Sequence, residues 1–561
     1  MKLMFVLLLC AAAVCITCEQ PPSDEDWLEL HTPQGPVRGR RDPNADHLYA
    51  FHNIPYATAP VGKDKYKPPL PAPVWEKPYD AINKNIICPQ YTLQLYNLKP
   101  KNSVEQEDCL IANVYVPDTR KTNISVLVYV HGGGFFGGYG DFLTPKRLLK
   151  SKDIVLVTFN YRLGVHGFLC LGTENVPGNA GMKDQIALLR WVQKNIASYG
   201  GNPNDVTIAG YSAGSMSVDL LMLSKSAEGL FHKVIPESGG NLATYTIQRD
   251  PLEVAQYQAK LLNFTNIDDI HALEEFYRTT PLEQLYYTDI LSTRFYSSAL
   301  FSPCVERETE DEAFLTESPL SILQRGSFKK LPVLYGFAAM EGRGRLAFFE
   351  MLKPKMNQNF SDFLPNDLKI DSEKERREVS DKVKTFYFGD KPVGEDNKLG
   401  FVNFFTDVTF SHAMLWSVKL YAEAGHKSVY LYEYSFVDEN APLVPPITIR
   451  GADHCDQTFA VVDSLDEDLA SVEVKNMKKT IRQIWHNFIK TGKPVPEGSS
   501  LPAWPAAGAA RAPYMSLGQE LELRHEPLLE TRTLFWDDIY QKYYLQPIPP
   551  PERIPNSRIE L

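Results

Sequence analysis

Apolar and polar positions along the chain group into short, continuous apolar runs bounded by polar and glycine-rich stretches, the pattern of strands buried on both faces. Runs at 126–131, 154–161, 206–211, 233–238, 332–337 and 429–436 are apolar throughout most of their length, and helical stretches separate them. Strands that alternate with helices predict an α/β protein with a mostly parallel central sheet covered by helices on both faces. No fixed-period repeat and no Pro/Ser/Gly-rich linker of useful length interrupts the pattern, so residues 19–561 read as one large domain. The stretch from about 250 to 325 is helix-compatible and irregularly charged, and is expected to help roof a site at the strand ends.

The apolar run Val206-Thr207-Ile208-Ala209 leads straight into Gly210-Tyr211-Ser212-Ala213-Gly214, and a helix-like stretch follows. Strand, sharp turn and helix around Gly-x-Ser-x-Gly make the nucleophile elbow of an α/β-hydrolase, in which the serine hydroxyl stands exposed above the sheet edge. The turn crowds the backbone, so the positions two before and two after the serine must lack bulk. Glycines at 210 and 214 meet that need. Five residues alone recur by chance, and a second signal strengthens the reading: His131-Gly132-Gly133-Gly134-Phe135 follows the run Val126-Leu127-Val128-Tyr129-Val130. Three glycines let backbone N–H groups turn toward one point, as an acyl-transfer enzyme requires where the oxyanion forms. The matching donor is the N–H of Ala213, next to the nucleophile. A phosphate cradle is excluded, because no Lys-Ser/Thr follows the glycines.

In this fold the triad runs Ser, then Asp or Glu, then His. Glu341 stands where the apolar run from Pro332 ends in a small-residue loop, and His454 stands in Gly451-Ala452-Asp453-His454-Cys455-Asp456. With 12 histidines in the chain, spacing alone does not choose among them. Glu237 and Asp407 stay open as alternative carboxylates.

Together with Glu107-Asp108-Cys109-Leu110, Asn160-Tyr161-Arg162-Leu163-Gly164, Gly178-Asn179-Ala180-Gly181-Met182-Lys183-Asp184-Gln185, and Trp191 onward into Gly201-Asn202-Pro203, these motifs resemble those of type-B carboxylesterases, the group that also holds the cholinesterases. The resemblance covers nearly the whole chain. It implies that Ser212, Glu341 and His454 form a triad, that Gly133, Gly134 and Ala213 form the oxyanion hole, that Cys88 and Cys109 pair, and that the partner is a small-molecule ester with no cofactor. Cholinesterases carry glutamate before the nucleophile and juvenile hormone esterases glutamine, whereas this chain has Tyr211. Between Cys88 and Cys109, where cholinesterases place a tryptophan for a quaternary ammonium, the aromatic residues are Tyr91 and Tyr96. The pattern is most similar to insect carboxylesterases, including antennal and gut enzymes, and implies hydrolysis of neutral, fairly apolar esters of odorant, dietary or xenobiotic origin. Other readings of the same motifs are a lipase, a protein that sequesters esters or organophosphates as a long-lived adduct on Ser212, and a non-catalytic adhesion protein.

A net charge of −11 argues against nucleic acid, which needs a concentrated basic surface. The nearest approach to a basic cluster is Lys475, Lys478 and Lys479, read as a solvated helix face. No C-x-x-C or H-x-x-x-H spacing suggests a metal site. Lys2 and the apolar run 3–16 read as a signal peptide over residues 1–18, too short for a membrane span. Its loss discards three of eight cysteines and leaves Cys170, Cys304 and Cys455 without evident partners, so the second disulfide common in the family is not expected and an odd thiol is left over. Asn123, Asn263 and Asn359 are glycosylation acceptors that fit a secretory route. The tail Arg558-Ile559-Glu560-Leu561 is similar to retention signals ending in Glu-Leu, so secretion and retention in the endoplasmic reticulum both stay open.

Overall fold

The structure, a computed structural model, describes residues 26–43, 45–91, 99, 100, 102–286, 301–308, 312–440, 443, 445, 447–463 and 467–551. The expected signal peptide and the Arg558-Ile559-Glu560-Leu561 tail lie outside the described residues, as does Tyr96.

In chain order the strands are β1 (Trp27–Thr32), β2 (Gly35–Asp42), β3 (Ala45–Pro55), β4 (Tyr79–Asp80), β5 (Ile86–Ile87), β6 (Val104–Glu105), β7 (Ile111–Pro117), β8 (Ile124–Val130), β9 (Ile154–Phe159), β10 (Gly201–Tyr211), β11 (Lys233–Glu237), β12 (Val333–Ala338), β13 (Val429–Tyr434), β14 (Tyr514–Leu517) and β15 (Leu521–Arg524). All but β5 and β6 join one sheet. From β9 the order runs β9-β8-β10-β11-β12-β13-β14, with every neighbouring pair parallel. Antiparallel strands flank this block, β1-β2-β3-β7 on one side and β15 on the other.

The apolar runs read from the sequence correspond to β8 through β13. Every residue of β8 and β9 is buried, as a parallel strand sandwiched between helix layers must be. Successive side chains of β8 feed opposite faces: Val126, Val128 and Val130 join one hydrophobic cluster, while Leu127 and Tyr129 join the other. A third cluster gathers Phe349, Phe360, Phe401 and Phe404 with Trp536 of the helix Glu530–Tyr543, away from the sheet. The stretch from 250 to 325 contains the helices Pro251–Leu261, Ile270–Thr279, Leu282–Tyr286 and Pro319–Arg325. The second of these is tied to the loop after β3, where Lys65 Nζ donates to the carbonyls of Arg278 and Thr280 at 3.0 and 2.9 Å.

Two of the sequence motifs turn out to be structural. Arg162 and Asp184 are both fully buried, and the guanidinium meets the carboxylate through Nε at 2.8 Å and Nη2 at 2.6 Å. The remaining Nη1 donates to the carbonyls of Lys65 and Lys67 at 3.0 and 2.8 Å. Such a pair gains little over a well-packed apolar replacement, but removal of one partner strands a charge in the interior. Asp184→Asn is therefore expected to cost about 3–5 kcal/mol of stability. A denaturant midpoint equal to that of the natural chain would show that the charge is not needed there.

Two sequence expectations need correction. Cys170 and Cys304 form a second disulfide, across 134 residues, beside the Cys88–Cys109 bridge, which spans 21. The pair escapes sequence reading because its two segments meet only through the fold: Asn179 accepts from the Cys304 N–H at 2.8 Å and donates to its carbonyl at 2.8 Å. Gly178 passes directly over both sulfurs, leaving a side chain there only 2.7 Å from Cys304 Sγ. The odd thiol is Cys455, which is free and buried. The lysine group is not wholly solvated either. In the helix Val472–Thr491, Lys475 and Lys479 are exposed, but Lys478 points toward the helix Asp456–Val461 and donates to the Phe459 carbonyl at 2.6 Å. Asn123, Asn263 and Asn359 are all exposed.

Candidate active site

Four adjacent parallel strands, β10 to β13, end along one edge of the sheet, and each delivers a polar residue there. Ser212 follows β10, Ser238 follows β11, Glu341 lies just past β12, and His454 lies in the loop after β13. Carboxyl ends of parallel strands are where open α/β sheets place their chemistry.

Ser212 sits between β10 and the helix Ala213–Leu221 with φ of 54° and ψ of −122°, a conformation that costs a non-glycine residue strain energy. The strain is held in place by close packing. A side chain at Gly210 would lie 2.5 Å from the Gly214 carbonyl carbon, and one at Gly214 would strike the Val130 carbonyl of β8. The Ser212 N–H donates to the Glu237 carbonyl at 2.9 Å, which fixes the turn against β11. The hydroxyl then faces His454, with Ser212 Oγ 2.9 Å from Nε2. On the far side of the ring, His454 Nδ1 lies 2.5 Å from Glu341 Oε2.

The other oxygen of Glu341 accepts from the Ala338 N–H at 2.7 Å and from Ser238 Oγ at 2.5 Å, and Ser238 in turn accepts from Gln457 Nε2 at 2.5 Å. Asp453 cross-links the two loops: its Oδ1 accepts from the His454 N–H at 2.7 Å and from the Gly344 N–H at 2.8 Å. Neither Ser238, Gln457 nor Asp453 was singled out from the sequence. The only available signal was position, a polar residue immediately after an apolar strand or beside the histidine.

The alternative carboxylates are engaged elsewhere. Glu237 is fully buried and accepts from Tyr432 Oη at 2.5 Å and Thr458 Oγ1 at 2.7 Å; burial pushes its carboxyl up to about 7. Asp407 accepts from Arg532 Nε at 2.7 Å and Tyr387 Oη at 2.5 Å. Cys455 follows the histidine in a left-handed conformation, and burial raises its thiol.

Burial opposes a positive charge on His454, while Cys455 and Glu341 favour it, and the net direction is upward. Cys455 could contribute only as a thiolate, and its own burial holds it neutral. Glu341 is therefore the partner that raises His454.

The glycine loop turns with positive φ at three successive residues, 109° at Gly133, 62° at Gly134 and 64° at Phe135. The Gly133 carbonyl accepts from the Phe136 and Gly137 N–H groups at 3.1 and 3.0 Å, so the loop is closed on itself. His131 anchors its start. The ring stacks on Tyr161 at 4.4 Å, Nδ1 lies 2.8 Å from the Gly132 carbonyl, and burial lowers the imidazole to about 4, keeping it neutral. Tyr211 is buried under the same loop, where a side chain on Gly132 would come within 2.7 Å of its carbonyl and ring, and it stacks on Tyr129. Its ring serves packing beneath the loop.

Such an arrangement can abstract a proton from a serine hydroxyl at one end of a Ser-His-carboxylate line. Among the described residues no cluster of His, Cys, Asp and Glu could hold a metal ion, and no helix is long and apolar enough to cross a membrane.

Known proteins match this chain over most of its length and most of their own. Esterase FE4 of Myzus persicae is 32% identical over 484 residues, 82% of this chain and 83% of that protein. Juvenile hormone esterase of Heliothis virescens is 32% identical over 530 residues, 89% of this chain and 93% of that protein. The crystal structure of juvenile hormone esterase from Manduca sexta with OTFP covalently attached matches with a TM-score of 0.81 at 28% identity, covering 92% of this chain and 100% of that one. Residues 26–536 match the carboxylesterase family, and the chain belongs to that family as a carboxylic ester hydrolase of the α/β-hydrolase fold.

Proposed function

We propose that this esterase works through an acyl-enzyme on Ser212, with His454 as general base and acid and Glu341 as the residue that orients its imidazole. The observation that carries the reading is the hydrogen-bonded line from Ser212 Oγ through His454 to Glu341, at 2.9 and 2.5 Å, on a strained elbow at the sheet edge. A serine hydroxyl becomes a nucleophile only when a base within reach takes its proton. His454 Nε2 does so as Oγ attacks the ester carbonyl, and Glu341 stabilises the imidazolium without itself becoming protonated. The N–H groups of Gly133, Gly134 and Ala213 hold the oxyanion, helped by the positive end of the helix Ala213–Leu221. His454 then protonates the departing alcohol, and a water activated by the same imidazole releases the acid.

The substrates are neutral, fairly apolar esters. Phe136 lies against Gly134 of the glycine loop and supplies an apolar ring beside the proposed oxyanion donors, which favours an apolar ester over a charged one. The insect relatives named as juvenile hormone esterases support an apolar ester in general. Two disulfides and three exposed asparagine acceptors support a secretory route, since such bridges persist in oxidising compartments.

Rapid mixing with a short p-nitrophenyl ester is expected to release a burst of p-nitrophenol equal to the enzyme concentration, followed by steady turnover. Acid quenching during the burst and peptide mass analysis should find the acyl group on Ser212. An acyl group on another residue overturns the assignment, and a burst without turnover makes the protein a sequestering one.

A further inference from the structure

The helix Lys398–Thr406 does not run smoothly into the helix His412–Glu423. Between them Asp407–Ser411 form a π-turn, closed by the His412 N–H donating to the Asp407 carbonyl five residues back. Such turns hold more residues than an α-helical turn and push side chains out of register, and they recur at functional sites. Phe410 lies within this turn, and its ring is stacked on the His454 imidazole at 4.3 Å between centroids and 23° between planes.

The turn is built to stay as it is. Asp407 is buried, and Arg532 of the helix Glu530–Tyr543 grips both its oxygens, at 2.7 and 2.5 Å. Tyr387 donates to one oxygen at 2.5 Å and Ser411 to the other at 2.7 Å. One residue before the turn, Thr406 Oγ1 accepts from the Gly342 N–H at 2.9 Å. The loop of Glu341 therefore leans on one end of this segment and the ring of His454 on the other.

We propose that Phe410 is a positioning residue for His454, one that holds the imidazole in line with Ser212 and Glu341 and offers its π-face to the charge that forms when the ring takes the proton. The inference rests on His454 being the general base. A face-on aromatic ring attracts a cation more than a neutral ring. The contact therefore strengthens as the reaction proceeds, which is the condition for raising kcat and not only binding. The titratable groups that face His454 are Glu341 from the loop after β12, and Asp453 and Cys455 from its own loop. The π-turn presents the uncharged Phe410 to the imidazole, its acid Asp407 being held by Arg532.

Phe410→Leu keeps bulk and removes the π-face; Phe410→Tyr keeps the face. With a short p-nitrophenyl ester, kcat of the leucine variant is expected to fall roughly 10-fold with KM nearly unchanged, within the range of a partly desolvated cation–π contact. The acid limb of its kcat/KM profile should move to lower pH by up to about one unit, since the imidazolium loses support. The tyrosine variant should keep both values. Wild-type kcat and profile in the leucine variant, or a change confined to KM, would overturn the proposal, as would a tyrosine variant as impaired as the leucine one. Should Phe410→Leu fail to fold, Phe410→Met carries the same test. Ser212→Ala in the same assay separates the two levels: activity surviving there sinks the triad assignment, whereas a dead Ser212→Ala beside unperturbed Phe410 variants sinks only the role of Phe410.

Discussion

Ser212→Ala is expected to lower turnover of a p-nitrophenyl ester by on the order of 10⁶, the loss seen when a residue acting as part of such a unit is removed. A residual rate on the order of 10³–10⁴ over water should persist, because the oxyanion donors and the binding surface remain. The loss is so large because Ser212 supplies the bond-forming atom, and without it every proton transfer by His454 along the acyl-enzyme route is lost. Among the described residues, the 2.9 Å contact of Ser212 Oγ to Nε2 is the one hydrogen bond of the hydroxyl that the replacement removes, so the unfolding midpoint should stay close to that of the natural chain. Activity within tenfold of the natural chain at equal folded concentration would place the nucleophile elsewhere.

Glu341→Gln is expected to reduce kcat by about 10⁴, as in other Ser-His-acid sites where the acid becomes an amide and the imidazole is held in the wrong tautomer. The change also has a sign in pH. Glu341 raises His454, so the natural chain loses activity as falling pH protonates that ring. Without the carboxylate the imidazolium is less favoured, and the acid limb must move to lower pH even as the plateau drops. Glu237→Gln is the comparison, because Glu237 is buried nearby yet spends its oxygens on Tyr432 and Thr458. It should keep kcat. A collapse in Glu237→Gln with little effect in Glu341→Gln would exchange the two assignments.

The sequence carried the central strands because β8 to β13 are covered on both faces, and full burial writes itself as continuous apolar residues. The flanking strands were not seen. Residues of β1 alternate between half-buried and exposed, and β2 carries Arg38, Arg40 and Arg41, so neither resembles a core strand in isolation. The elbow and the glycine loop were legible for a steric reason: both need glycines at fixed places, and that need leaves a local spelling. Glu341 and His454 were placed by chain order and by resemblance, not by chemistry visible in their neighbourhoods. Ser238, Thr406 and Phe410 leave no such spelling, since each matters through a contact made far along the chain. The same holds for Cys170 and Cys304, whose pairing is decided by how Asn179 docks on the Cys304 backbone.

That second bridge divides the chain in a way that bears on its survival among proteases. The covalent ring closed between Cys170 and Cys304 contains Ser212 and Ser238, while Glu341 and His454 lie outside it. A single cut anywhere within the ring leaves the two fragments joined through sulfur, so a nicked molecule keeps its nucleophile tethered to its base and acid. On a gel without reductant it would migrate as one chain, and where the cut falls between Ser212 and Cys304 only thiol treatment would release the piece that carries the serine from the piece that carries the histidine.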